Sequence, residues 1–144
     1  MKKMNKTASR TMKKMIEGLT QPSEGNSHKS IDNTEKVFMP VVVEIVGGRT
    51  ITLESKEYKI NVISVAHYFR QNGDQVVDPE MIFIEVAGDF YPVSIQHAFG
   101  VQRLAVADWN EYSGEYTGVY PKEQADQTKF ANLWMKNIKS QQGI

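Results

Sequence analysis

The sequence predicts an α+β fold: a mostly antiparallel sheet of about six strands packed by a C-terminal helix, with a separable N-terminal basic helix ahead of it. Three observations predict it. Apolar residues recur with a period of two through much of residues 41–106. Glycine- and asparagine-containing turn signals separate these runs with no helical pattern between them. Helical periodicity is confined to the two ends of the chain.

The first element is a helix over Ala8–Leu19. Ala8, Met12, Met15, Ile16 and Leu19 form one stripe, while Lys6, Arg10, Lys13, Lys14 and Glu17 mostly take the other side. Residues 20–27 break the pattern, and few apolar residues precede Val37, so residues 20–36 read as a flexible linker. The chain is therefore expected to divide into residues 1–36, helix plus linker, and residues 37–144, a single α+β domain.

Val41–Val46 and Arg49–Leu53 read as two strands of a hairpin joined at Gly47-Gly48. A two-residue loop would set Ile51 opposite Glu44. A three-residue loop, Gly47–Arg49, pairs Ile45 with Ile51 and Val43 with Leu53, and is the expected register. Tyr58, Ile60 and Val62 share one phase, whereas Ile63, Val65, His67 and Phe69 share the other. That change predicts a bulge near Val62–Ser64 or two separate elements. Asn72-Gly73-Asp74 signals a turn. Met81–Val86 is apolar on both sides, as in a central strand. Gly88-Asp89 and Phe99-Gly100 then connect Phe90–His97 and Val101–Val106 into a meander. Residues 107–120 show no clear period. Pro121 opens the last helix, whose stripe is Phe130, Leu133, Trp134 and Ile138, with Gly143 at its end.

Composition removes several function classes. A chain of 144 residues suits one domain. Without cysteine there is no thiol catalysis, zinc–thiolate site or disulfide framework, and a cytoplasmic location is expected. No apolar run approaches the about 20 residues of a membrane span, and the basic N-terminus lacks the apolar core of a secretory signal. The net charge of zero conceals an asymmetry. Residues 1–36 hold eight Lys/Arg against four Asp/Glu, giving +4, and residues 37–144 hold nine against thirteen, giving −4.

Five segments together carry a family resemblance: Phe38–Glu44, Ile63–Asp74, Asp78–Met81, Tyr91–Ser94 and Phe130–Asn137. In order and approximate spacing they resemble an uncharacterised domain family of conjugative transposons, plasmids and phages, over roughly residues 37–144. The resemblance implies a mobile-element context. It supplies no activity, cofactor or catalytic residue.

The densest polar constellation is His67, Asp74, Asp78 and Glu80, with His97 as a fifth member if the fold brings it near. Two imidazoles and three carboxylates are the donor set of a divalent-metal site that activates water, as in a metal-dependent hydrolase or nuclease. The competing reading is a turn held by Asp74 and Asp78, with Pro79 starting a strand, and the spacing favours it. Glu54-Ser55-Lys56 and Glu57-Tyr58-Lys59 match half of a nuclease signature, but the upstream acid would have to be Asp32 in the linker. No nucleophile elbow, phosphate loop or dinucleotide fingerprint is present, and no cofactor is implied.

Trp109, Tyr112, Tyr116 and Tyr120 recur in the aperiodic stretch among Asp108, Glu111 and Glu115. Such rings either anchor a protein partner or cap the core. The neighbouring acids oppose stacking on nucleic acid. The basic helix, through Arg10, Lys13 and Lys14, has three roles open to it: packing or self-association, docking to a partner or membrane surface, and contact with phosphates through residues 1–20. The leading expectation is a non-enzymatic module that binds another protein, in its narrower form a counter to a host defence nuclease.

Overall fold

The longest strand resolves the apparent change of phase. In the computed structural model, which describes residues 1–35 and 37–144, residues Lys56–Gln71 form one strand of 16 residues, β3. Alternation is unbroken along it. Ile60 and Val62 point to one face of the sheet, and Ile63 and Val65 to the other. Each face is covered over a different stretch, so the sequence shows two phases where the backbone has one. The irregularity lies on the partner strand β2 (Val41–Leu53), where Val46 is the extra residue between the pairs Ile45–Ile63 and Gly47–Val62.

The hairpin expected at Gly47-Gly48 is absent. β2 runs straight through both glycines and turns only at Glu54-Ser55, with Leu53 opposite Lys56 and positive φ at both turn residues. The glycines serve a close approach instead. A Cβ on Gly47 would fall on the carbonyl of Tyr112, and one on Gly48 would fall on the carbonyl of Ile60. β4 (Asp74–Val86), β5 (Asp89–Gln96) and β6 (Arg103–Leu104) follow the predicted meander, and β1 (His28–Ile31), which the sequence pattern does not predict, pairs with β2 to complete an antiparallel sheet ordered β1-β2-β3-β4-β5-β6.

One face carries the helices. Val43, Val65 and Phe83 of the sheet pack with Met12 and Met15 of α1 (Lys6–Ile16) and with Trp134, Met135 and Ile138 of α2 (Pro121–Gln142). α2 starts on Pro121 and ends on Gly143 in the left-handed conformation, whose N–H reaches the Lys139 carbonyl. Leu133, predicted for its buried stripe, is exposed; Ala131 and Met135 take the inward positions. The other face carries a small ribbon, β7 (Val106–Ala107) with β8 (Gly118–Val119), which covers Ile60, Val62 and Ile84. The aperiodic stretch is therefore ordered, by a few backbone pairs too short to show a period.

Residues 1–35 pack on the rest of the domain, and Lys36 lies outside the described residues. Met4, Ala8, Met12 and Met15 lie in the core of the helix face. The Met4 N–H donates to the Phe90 carbonyl (2.9 Å), and the buried Gln124 side chain brackets the Lys2 backbone with two bonds of 2.7 Å. The stretch read as a linker holds a 3-10 turn (Pro22–Glu24) and β1, which pairs with Val41–Glu44. The Met-rich face of α1 is spent on this domain, so it is not left for a membrane or a partner. Among the described residues, no helix is long and apolar enough to cross a membrane.

Candidate functional site

The predicted His/Asp/Glu constellation does not assemble. Asp74 stands at the tip of the β3–β4 hairpin, opposite Gln71. Glu80 lies on the ribbon face, where it accepts from Ser64 Oγ (3.1 Å). His67 is buried on the helix face; its Nδ1 donates to the Pro40 carbonyl (3.1 Å), and its ring meets Trp134 edge-on at 5.4 Å. Burial pushes the His67 imidazole below its usual range, against the opposing pull of the Pro40 hydrogen bond and the Asp78 charge. Asp78 accepts from the Ala98 N–H (3.1 Å) and stands 3.5 Å from His97 Nδ1, while the His97 ring packs on Phe130. Only the His97–Asp78 pair is in contact. Among the described residues, no group of three or more His, Asp or Glu side chains is placed to hold a metal ion. The nuclease half-signature fares no better. Asp32 follows the edge strand beside Val41, whereas Glu54 follows Leu53 at the far end of β2, roughly 40 Å away along the strand.

The structure instead builds a groove that the sequence did not announce. The β7–β8 ribbon covers only the half of its face around Ile60 and Val62. Over the other half, period-two alternation lifts Glu44 from β2, Ser64 and Tyr68 from β3, and Glu80 from β4 into one concavity of about 280 Å³. Val42, Val46 and Ile82 make its apolar floor, and Gln102 and Glu111 close it from the loops. Three carboxylates line it and no Lys or Arg does. Glu44 and Glu111 make no ion pair among the described residues. Desolvation raises the Tyr68 phenol above its usual range, and the Glu80 and Glu44 charges raise it further.

A second hollow adjoins the first through Gln102 and Glu111 and is walled by Leu104, Trp109 and Tyr112. Its shape is held locally. Asn110 Oδ1 accepts from the N–H groups of Tyr112 (3.0 Å) and Ser113 (3.3 Å), and the Gly48 N–H donates to the Tyr112 carbonyl (2.8 Å). The four predicted aromatics thus separate by position. Trp109 is half-buried against the ribbon-face core, Tyr112 stands 73% exposed beside it, and Tyr116 is exposed. Tyr120 sits apart, in a hollow with Arg103 and Lys122. Glu44 was the available signal for the groove: a carboxylate at the centre of the run Val41–Val46.

The basic helix presents Arg10, Lys13 and Lys14 to solvent. Arg10 and Lys13 line a cleft of about 540 Å³ together with Lys3, Lys6 and the β4–β5 turn at Gly88-Asp89; Lys14 lies outside it.

Neither a curated protein nor a solved structure matches the chain. A family model described as a domain of unknown function (DUF6908) matches residues 10–144, beginning inside α1 instead of at Val37. That extent agrees with the packing, in which α1 shares the core of the sheet. The chain belongs to the family of the domain of unknown function DUF6908.

Proposed function

We propose that the protein is a binding module whose groove on the ribbon face receives a basic segment of a partner protein. The observation that carries this reading is the concavity itself: an apolar floor, carboxylates Glu44, Glu80 and Glu111 on its walls, and Trp109 and Tyr112 on the adjoining rim. Such a surface fits a lysine or arginine side chain, whose aliphatic stem lies on Val42, Val46 and Ile82 while its head meets the carboxylates. Exposed Tyr112 offers the ring face over which a cation or a flat side chain packs. In the mobile-element setting implied by the sequence resemblance, the module is an accessory protein, and the basic surface of a host nuclease is the partner class that this charge pattern fits.

The test is fluorescence anisotropy with a labelled arginine- and lysine-rich decapeptide, and an acidic peptide of equal length as control. Replacing three carboxylates, Glu44→Gln, Glu80→Gln and Glu111→Gln together, removes about 1–3 kcal/mol of pairing, or roughly 5- to 150-fold in affinity. Amide chemical shifts should move at residues 42–46, 64–68 and 102–112. Equal binding by the wild type and the triple variant refutes the reading, as does a basic peptide that binds no better than the acidic one.

A further inference from the structure

We propose that α1 and the β4–β5 turn form a cleft that binds the phosphate backbone of double-stranded nucleic acid, independently of its sequence. The cleft holds about 540 Å³ and is lined by Lys3, Lys6, Arg10 and Lys13 on one side and by Gly88 and Asp89 on the other. At 100° per residue, Lys6, Arg10 and Lys13 fall within about 60° of arc on α1. They form a stripe roughly 10 Å long.

The stripe is held in place because the opposite side of the helix is fixed. Met12 and Met15 are fully buried, and the Met4 N–H is bonded to Phe90. Asp89 is the one carboxylate in the lining, and it pairs with Lys3 (3.4 Å). Lys6, Arg10 and Lys13 make no ion pair among the described residues, so their charges stay available. The first turn of α1 contains no acidic residue, and the positive end of the helix dipole adds to the field there.

The shape of this charge selects among anionic ligands. A bilayer needs an apolar helix face to enter it, and α1 has spent its apolar face on the core. Single strands are held by stacking on aromatic rings, and no aromatic residue lines the cleft. A row of cations along one helix, with no ring to read a base, matches the repeated phosphates of a duplex. The acidic groove does not oppose such a ligand, because Glu44 and Glu80 lie on the other face of the sheet.

The experiment is anisotropy of a fluorescein-labelled mixed-sequence 20-base-pair DNA duplex with the full chain at 50 and 200 mM salt. Three to four neutralised phosphates predict a loss of roughly 40- to 150-fold in affinity between those concentrations. The variant Lys6→Ala/Arg10→Ala/Lys13→Ala changes only exposed side chains, and circular dichroism checks that it folds. It should lose most of the binding at 50 mM and most of the salt slope. Lys136→Ala/Lys139→Ala, on the exposed side of α2, should bind as the wild type does, as should the triple glutamine variant of the groove. The proposal is overturned if the wild type shows no saturable binding at 50 mM, or if the α1 variant keeps the slope. It is equally overturned if the α2 variant loses as much as the α1 variant, or if phosphatidylserine vesicles bind while the duplex does not.

Discussion

Met12→Ala decides whether α1 belongs to the domain or merely precedes it. Met12 is fully buried in the core of the helix face, in the same cluster as Val43, Val65, Phe83 and Met135. Truncating a buried methionine to alanine removes its transfer free energy and leaves a cavity, together costing about 2–5 kcal/mol. Unfolding entropy scales with chain length. For 144 residues, at about 2.1 cal/mol/K per residue, each kcal/mol lowers the melting temperature by roughly 3 °C. The expected fall is therefore about 7–17 °C, in a single transition seen equally by far-UV circular dichroism and by tryptophan fluorescence, since Trp134 lies in the same cluster. Urea titration should give a lower midpoint with an unchanged slope, the signature of lost stability without a change in the surface exposed. The contrary outcome is equally clear. If α1 were an appendage, the sheet would unfold at the same temperature in both proteins. A loss below about 0.5 kcal/mol, the size expected of a surface substitution, refutes the packing argument.

Three further outcomes are expected. Gly47→Ala sets a methyl group on the Tyr112 carbonyl, so it should cost about 1–3 kcal/mol and open the 108–116 loop to limited proteolysis; an uncleaved loop at unchanged stability would count against the close approach. Gln124→Ala strips both bonds from the Lys2 backbone and should cost about 1–3 kcal/mol, with faster amide exchange at residues 2–4 as the readout. His67 gives a pH signature. Its folded pKa is lowered by burial, so the unfolded chain binds the proton more readily, and stability contributed by neutral His67 is present above about pH 6.5 and declines as pH falls below it. His67→Gln keeps a donor for the Pro40 carbonyl and removes the titration, so it should flatten the thermal-stability profile between pH 7.5 and 5.5 relative to the wild type.

What the sequence revealed, and what it hid, follows from how each face of the sheet is covered. The antiparallel character of the sheet, the α2 termini at Pro121 and Gly143 and the basic side of α1 all rest on local chemistry and are legible in the sequence. The glycine pair and the apparent change of phase share one cause: a residue explained by a distant neighbour looks local in the sequence. Gly47 and Gly48 look like a turn in the sequence, yet their need for no side chain comes from Tyr112, more than 60 residues on, and from the Ile60 carbonyl across the strand pair. The two phases within Tyr58–Phe69 suggested a bulge. They arise because the ribbon covers Ile60 and Val62 while the helices cover Ile63 and Val65. The groove was hidden for a related reason. Glu44, Glu80 and Glu111 are scattered across the sequence and meet only through strand register and one loop.

Covering a sheet on both faces with different elements also segregates charge. α1 covers one face and turns Lys6, Arg10 and Lys13 outward; the half-covered opposite face exposes Glu44 and Glu80. Packed layers are separated by about 10 Å, and the two charged side-chain sets point away from each other across the sheet. That separation exceeds the screening length of about 8 Å at physiological ionic strength, so the two sets act on solvent ligands as nearly independent fields. A net charge of zero is then no sign of electrostatic neutrality towards partners. A basic peptide in the groove and a duplex along α1 would not compete for the same groups. Charge reversal on one face should leave affinity on the other almost unchanged at physiological salt, and coupling between them should emerge only as salt is lowered and the screening length grows past the thickness of the domain.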